Sequence, residues 1–130
     1  MLRNFFFILT LLVILSYFVV ADIRKDCRKE SKVSWAALRR FKSGNLEPED
    51  PKLKCYLLCF MRRNGIVDQN AKVDVQRALR HLPRSMQDSS KKLFNKCKSV
   101  QGTDPCDKAY QMVKCSVQSQ PEILHSIPFL

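Results

Sequence analysis

The sequence predicts an all-α domain stapled by disulfides, and three observations carry that prediction. Apolar residues recur at helical spacing in several stretches, and no strand-like alternation stands out. Helix-start and helix-stop residues bound those stretches, most clearly Asp50-Pro51 before Leu53–Met61 and Gly65 after them. All six cysteines lie beyond residue 21, behind an export-type leader, where an even count in a small chain reads as three bridges.

The leader comes first. Arg3 supplies a positive start, Phe5 to Val20 is almost wholly apolar, and Val19-x-Ala21 is a small-residue cleavage pattern. A membrane-spanning helix is the rival reading. It fits less well, because the run is short for a bilayer and Thr10, Ser16 and Tyr17 interrupt it. Residues 1–21 are therefore expected to be a removed signal peptide, leaving residues 22–130 as a single domain.

Within that domain, Asp22 to about Lys42 reads as helix in two pieces. The first is charged around Cys27; the second carries Trp35, Leu38 and Phe41 and can be capped by Ser34. Ser43 to Pro48 is a turn-rich connection. The central helix follows, capped by Asp50, with apolar groups around most of its circumference, so burial on several sides is expected. Glu49 beside Asp50 reads as further helix-start chemistry. Ile66 to Ala71 is a loop, and a short helix with Val75, Ala78, Leu79 and Leu82 is ended by Pro83. Ser85 to Val100 is another helix, with Phe94 and Cys97 inward and Lys91, Lys92, Lys96 and Lys98 largely outward. Asp104-Pro105-Cys106-Asp107 opens the last long helix with a cap, a first-turn proline and a capping-box-like acid. Residues 116–130 form a tail that turns strongly apolar after Gln120, unlike an ordinary loose terminus.

Helix geometry restricts the bridges without choosing among them. Cys55 and Cys59 share one helix face and would bond only in poor geometry. Cys106 and Cys115 point to opposite sides roughly 13 Å apart, against the ~7 Å between α-carbons that a disulfide allows. Ten of the fifteen pairings of six cysteines remain. A zinc site is not expected, since only His81 and His125 could assist Cys-x3-Cys, from far off in sequence. Catalysis finds no support either. The chain has three glycines, no phosphate-cradling loop and no nucleophile elbow, and its one His-Ser neighbour pair, His125-Ser126, stands in no catalytic motif.

The charge is strongly positive. Arg3 is the one charged residue of the leader, so 22 of the 23 Lys and Arg stay in the domain against 12 Asp and Glu. They are scattered in ones and twos, which reads as a solvated surface rather than a dedicated polyanion site, and nucleic acid is not an expected partner.

The spacing Cys27-x27-Cys55-x3-Cys59-x37-Cys97-x8-Cys106-x8-Cys115 resembles that of the six-cysteine insect odorant-binding proteins, the family of general odorant- and pheromone-binding proteins. The likeness covers essentially the whole mature chain, including Asp50 to Tyr56 and Asp104 to Cys115. It implies about six helices in a compact array around an apolar cavity. It also implies interlocked bridges Cys27–Cys59, Cys55–Cys106 and Cys97–Cys115, one of the ten pairings that geometry leaves open.

The function implied is a secreted carrier of a small hydrophobic molecule: an odorant, a pheromone or a fatty-acid-like compound. No cofactor is expected, while a homodimer and a membrane receptor are further partners the resemblance allows. Candidate wall residues are Leu57, Phe60 and Met61 on the central helix, with Leu79 and Leu82 on the short one. Leu93, Phe94, Tyr110 and Val113 are candidates on the last two long helices. Any one of these taken alone reads better as plain core packing; as a set they read as a wall, because the implied fold encloses a cavity. Ile127, Phe129 and Leu130 are expected to form a wall or lid, with His125 as a titratable group beside them or simply on the surface. Many antennal members are acidic, so the basic balance here is a departure. It admits a ligand whose carboxylate sits at the cavity mouth near an Arg or Lys. The competing reading is a basic secreted effector of anionic membranes or acidic polymers.

Overall fold

Residues on both sides of the expected cleavage point form one rod, α1 (Leu2–Ser31), ended by Lys32 in the left-handed conformation at φ 60°. The structure is a computed structural model. It describes the backbone of residues 1–130 and all side chains except those of residues 18–22, where the Val19-x-Ala21 pattern falls. The described side chains before Phe18 are all exposed, among them Leu2, Phe5, Phe6, Phe7 and Tyr17. Among the described residues no helix is long and apolar enough to cross a membrane.

Six more helices follow: α2 (Trp35–Lys42), α3 (Pro51–Arg63), α4 (Val75–Arg80), α5 (Arg84–Cys97), α6 (Pro105–Ser119) and the single turn α7 (Ile123–Ser126). The all-helical prediction holds, with α7 as an addition inside the tail. Ser34, Asp50 and Asp104 each accept a backbone N–H at a helix start, and Asp74 does the same for α4. α4 ends two residues before Leu82 and α5 starts one residue early, and two boundaries differ by more. α5 stops at Cys97 and closes through a turn in which the Val100 N–H bonds the Cys97 carbonyl. α6 runs to Ser119, so the tail begins at Gln120 rather than at residue 116. Ser116 and Val117 are buried core positions that keep the helix going.

α3 is the centre, packed chiefly against α6 and α1. Leu53 and every residue from Tyr56 to Met61 are buried, as the all-round apolar pattern requires. Its end is a Schellman turn. The Gly65 N–H bonds the Arg62 carbonyl and the Ile66 N–H bonds the Met61 carbonyl, with Gly65 at φ 72°, a conformation glycine enters without steric cost. That turn places Ile66 beside Met61.

The bridges are Cys27–Cys59, Cys55–Cys106 and Cys97–Cys115, and no cysteine is free. They tie α1, α3, α5 and α6 together and leave α2, α4 and α7 without a covalent link. Cys27 and Cys97 are buried, whereas Cys55 is exposed.

Beside the Cys55–Cys106 bridge lies a network of charges. The Lys54 ammonium sits 2.7 Å from Asp107 and 2.8 Å from Glu49, and Lys114 bonds Glu47 and Glu49 at 2.6 and 3.0 Å. Glu49 is thus a partner of two lysines rather than a helix-start group; Asp50 alone serves the α3 terminus. The Asp107 carboxylate also accepts the Thr103 N–H at 2.9 Å, one residue further back than a capping box would reach. Hydrogen bonds from Lys54, the Thr103 N–H and Gln111 hold Asp107 well below its ordinary value of 3.8, and Asp107 and Glu49 push Lys54 up to about 12.

A carboxyl depressed in this way stabilises the fold while ionised. Its contribution is present above the unfolded-state value and is lost as pH falls through the folded-state value. Asp107→Asn is therefore expected to cost about 2 kcal/mol at neutral pH, since Lys54 keeps only Glu49. The gap to wild type should narrow by about 1 kcal/mol near pH 3. Urea titrations at the two pH values test this, and a gap independent of pH would assign the loss to packing.

Candidate functional site

Between α3, α4, α5, α6 and the tail the interior is not filled. The hollow is bounded by Met61 of α3, Ile66 and Val73 of the following loop, and Ala78 of α4. Phe94 and Cys97 of α5, Lys98, and Met112, Val113 and Ser116 of α6 continue the wall, which Ile123, Ile127 and Phe129 complete. The centre of a water-sized sphere can move through about 60 Å³ of it, and counting all empty space out to the open mouth gives about 530 Å³. The first figure is several times the ~10–15 Å³ that a single water needs, yet a lining this apolar leaves water few partners.

Local structure explains each wall. The Schellman turn sets Ile66 against Met61. Asp68 then folds the loop back by accepting the Asn70 and Lys72 N–H groups, which lets Val67 bridge Val73 and brings Val73 to the rim. On α6, Met112, Val113 and Ser116 follow helical spacing on one face.

The tail is docked rather than loose. The Phe129 ring lies 5.6 Å from Phe41, edge to face, and 5.2 Å from Phe60. Tyr56 donates its hydroxyl to the Phe129 carbonyl, and Arg24 of α1 donates to the Leu130 carbonyl. On its outer side the tail bounds a second hollow, roomier and more polar, with Phe41, Lys42, Leu124, His125, Pro128 and Leu130. Ile127 and Phe129 line both, so this short segment is the partition between them.

Of the twelve residues singled out by sequence, Met61, Phe94, Val113, Ile127 and Phe129 come together at the cavity. Leu57, Leu79 and Leu82 are buried outside its lining, and Phe60 stands behind Phe129. Leu93 is half-buried, and Leu130 faces the outer hollow. Tyr110 is fully buried elsewhere, its hydroxyl donated to the Leu46 carbonyl and its ring 5.3 Å from the Lys54 ammonium. His125 is exposed beside the outer hollow. Sequence reading passes over Ile66, Val73, Met112, Ser116, Ile123 and Lys98. Lys98, expected outward, is exposed yet sits in the cavity lining.

These features define a class: a helical shell, cross-linked three times, around a small apolar hollow closed on one side by its own tail. The PBP/GOBP family profile matches residues 19–119, and the chain belongs to that family. It is 34% identical over 98 residues to the B1 protein of Tenebrio molitor, covering 74% of either chain. With general odorant-binding protein 69a of Drosophila melanogaster it shares 28% identity over 98 residues, 75% of this chain and 66% of that one. Its fold is similar to odorant binding protein 7 of Anopheles gambiae, solved with four disulfide bridges in complex with an azo compound. The TM-score is 0.72 at 26% identity, covering 85% of this chain and 90% of that one.

Proposed function

We propose that this chain is an exported carrier that reversibly binds a small hydrophobic molecule in the cavity between α3, α5, α6 and the tail, and performs no catalysis. The observation that carries the reading is the apolar hollow itself, bounded on one side by Ile123, Ile127 and Phe129. Burial of ligand surface at ~25 cal/mol per Å² yields micromolar affinity without directional bonds. The Anopheles relative, solved with an azo compound, supports the same use of this fold. In this reading residues 1–21 are a leader removed before Asp22. The apolar side chains from Leu2 to Tyr17 stand exposed, which suits a segment with no place in the folded domain. Pairing with a second copy and delivery to a membrane receptor belong to the same reading.

The test is binding of a neutral fluorescent probe, N-phenyl-1-naphthylamine, to the mature chain. Truncation after Gln120 removes one wall and is expected to weaken the probe's affinity about tenfold or more. Ala78→Phe, which fills the hollow from α4 and leaves the tail intact, should lower it comparably. Probe affinity unchanged in both variants would place the binding site elsewhere. Binding to anionic vesicles that vanishes with salt, without probe uptake, would favour a membrane effector instead.

A further inference from the structure

Resting on the carrier reading, the cavity's polar inventory narrows the class of guest. Its lining is apolar with two exceptions, Ser116 and Lys98. The Ser116 hydroxyl is buried and donates at 2.9 Å to the Met112 carbonyl of its own helix, so its proton is already committed. Lys98 follows the last residue of α5. Its backbone N–H is bonded to the Phe94 carbonyl, the residue is exposed, and it belongs to the lining of the cavity. Lys54 and Lys114 are engaged with Asp107, Glu49 and Glu47, but among the described residues Lys98 makes no ion pair. It is the one charged side chain in the lining.

From this arrangement we infer that the preferred guest is an amphiphile, with a hydrocarbon body inside the cavity and a carboxylate at the rim held by the Lys98 ammonium. The physics favours this pattern over a buried acid. A carboxylate carried into the hollow would lose its hydration with no donor to replace it, since the Ser116 proton is taken. At the rim it keeps water on one side and gains the cation on the other. A neutral alcohol of the same length can bond water at the rim or the Ser116 oxygen inside, but it carries no charge for Lys98 to attract. The pair is solvent-screened, so its effect is modest and sensitive to salt. Lys98 is thus a specificity-determining residue, and the hydrocarbon contacts supply the affinity.

The experiment displaces N-phenyl-1-naphthylamine from the mature chain with decanoic acid, decan-1-ol and methyl decanoate at neutral pH. For wild type the expected ratio of acid to alcohol affinity is about five, shrinking toward one at high salt. In Lys98→Met the ratio should fall to about one, and Lys98→Arg should restore most of it. A ratio near one in wild type, or a preference for acid that survives in Lys98→Met, overturns the assignment while leaving the carrier reading in place. Failure of wild type to bind the probe at all overturns both.

Discussion

Replacing Cys55 and Cys106 together by serine is expected to lower the unfolding free energy by about 4 kcal/mol. This bridge spans 51 residues, the longest of the three separations, so opening it returns the most loop entropy to the unfolded chain. It is also the clearest place to measure that entropy. Cys55 is exposed and Cys106 is half-buried, so the serine pair leaves a smaller packing defect than one made at a buried cysteine. Removing Cys97–Cys115, separated by 18 residues, should cost about 3 kcal/mol by the same relation, plus a packing loss at the buried Cys97. Chemical denaturation of both double variants decides the matter. A loss below about 1 kcal/mol for Cys55/Cys106 would mean that the unfolded chain is already compact between α3 and α6.

Phe129→Ala is expected to remove about 3 kcal/mol, a large effect for a residue next to the last in the chain. The side chain is buried between Phe41 of α2 and Phe60 of α3 and forms part of the cavity wall, so truncation enlarges a void rather than closing one. A segment that undocks can cost no more than its own docking energy, which sets a ceiling on the loss. That ceiling is high here: Ile123, Leu124 and Ile127 are buried with Phe129. Under the carrier reading the same change weakens guest affinity. Amide exchange across residues 121–130, alongside the denaturation midpoint, checks it. A loss under about 1 kcal/mol with fast exchange already in wild type would show the tail to be undocked in solution.

The parts of this fold legible in sequence were those governed by local chemistry. Ser34, Asp50 and Asp104 announce helix starts, Gly65 announces a stop, and the structure uses each of them in that role. The bridge pairing came from the family spacing, because helix geometry alone left ten choices. Longer-range relations were hidden. Asp107 looks like a helix-start acid from its neighbours, and only the approach of α3 to α6 gives it Lys54, which lies 53 residues away. Tyr110 could have served ligand or protein, and the Leu46 carbonyl decides it. Ile66 and Val73 lie in a loop with no helical period, so their place in the wall depends on the turns at Gly65 and Asp68. Lys98 caps α5 in the right-handed helical conformation and is exposed like the lysines before it, so its place in the lining depends on the segments packed against that end of the helix.

The distribution of cross-links gives the hollow two unlike jaws. Met61, Phe94, Cys97, Met112, Val113 and Ser116 stand on rods joined by sulfur, whereas Ile66, Val73, Ala78, Ile123, Ile127 and Phe129 stand on segments held by contact alone. Under the carrier reading, a guest bulkier than the enclosed space is expected to press on the yielding jaw, where Ile127 and Phe129 separate the cavity from the outer hollow. In that reading shape discrimination falls on whichever end of the molecule meets the unyielding side, and tolerance of length falls on the other.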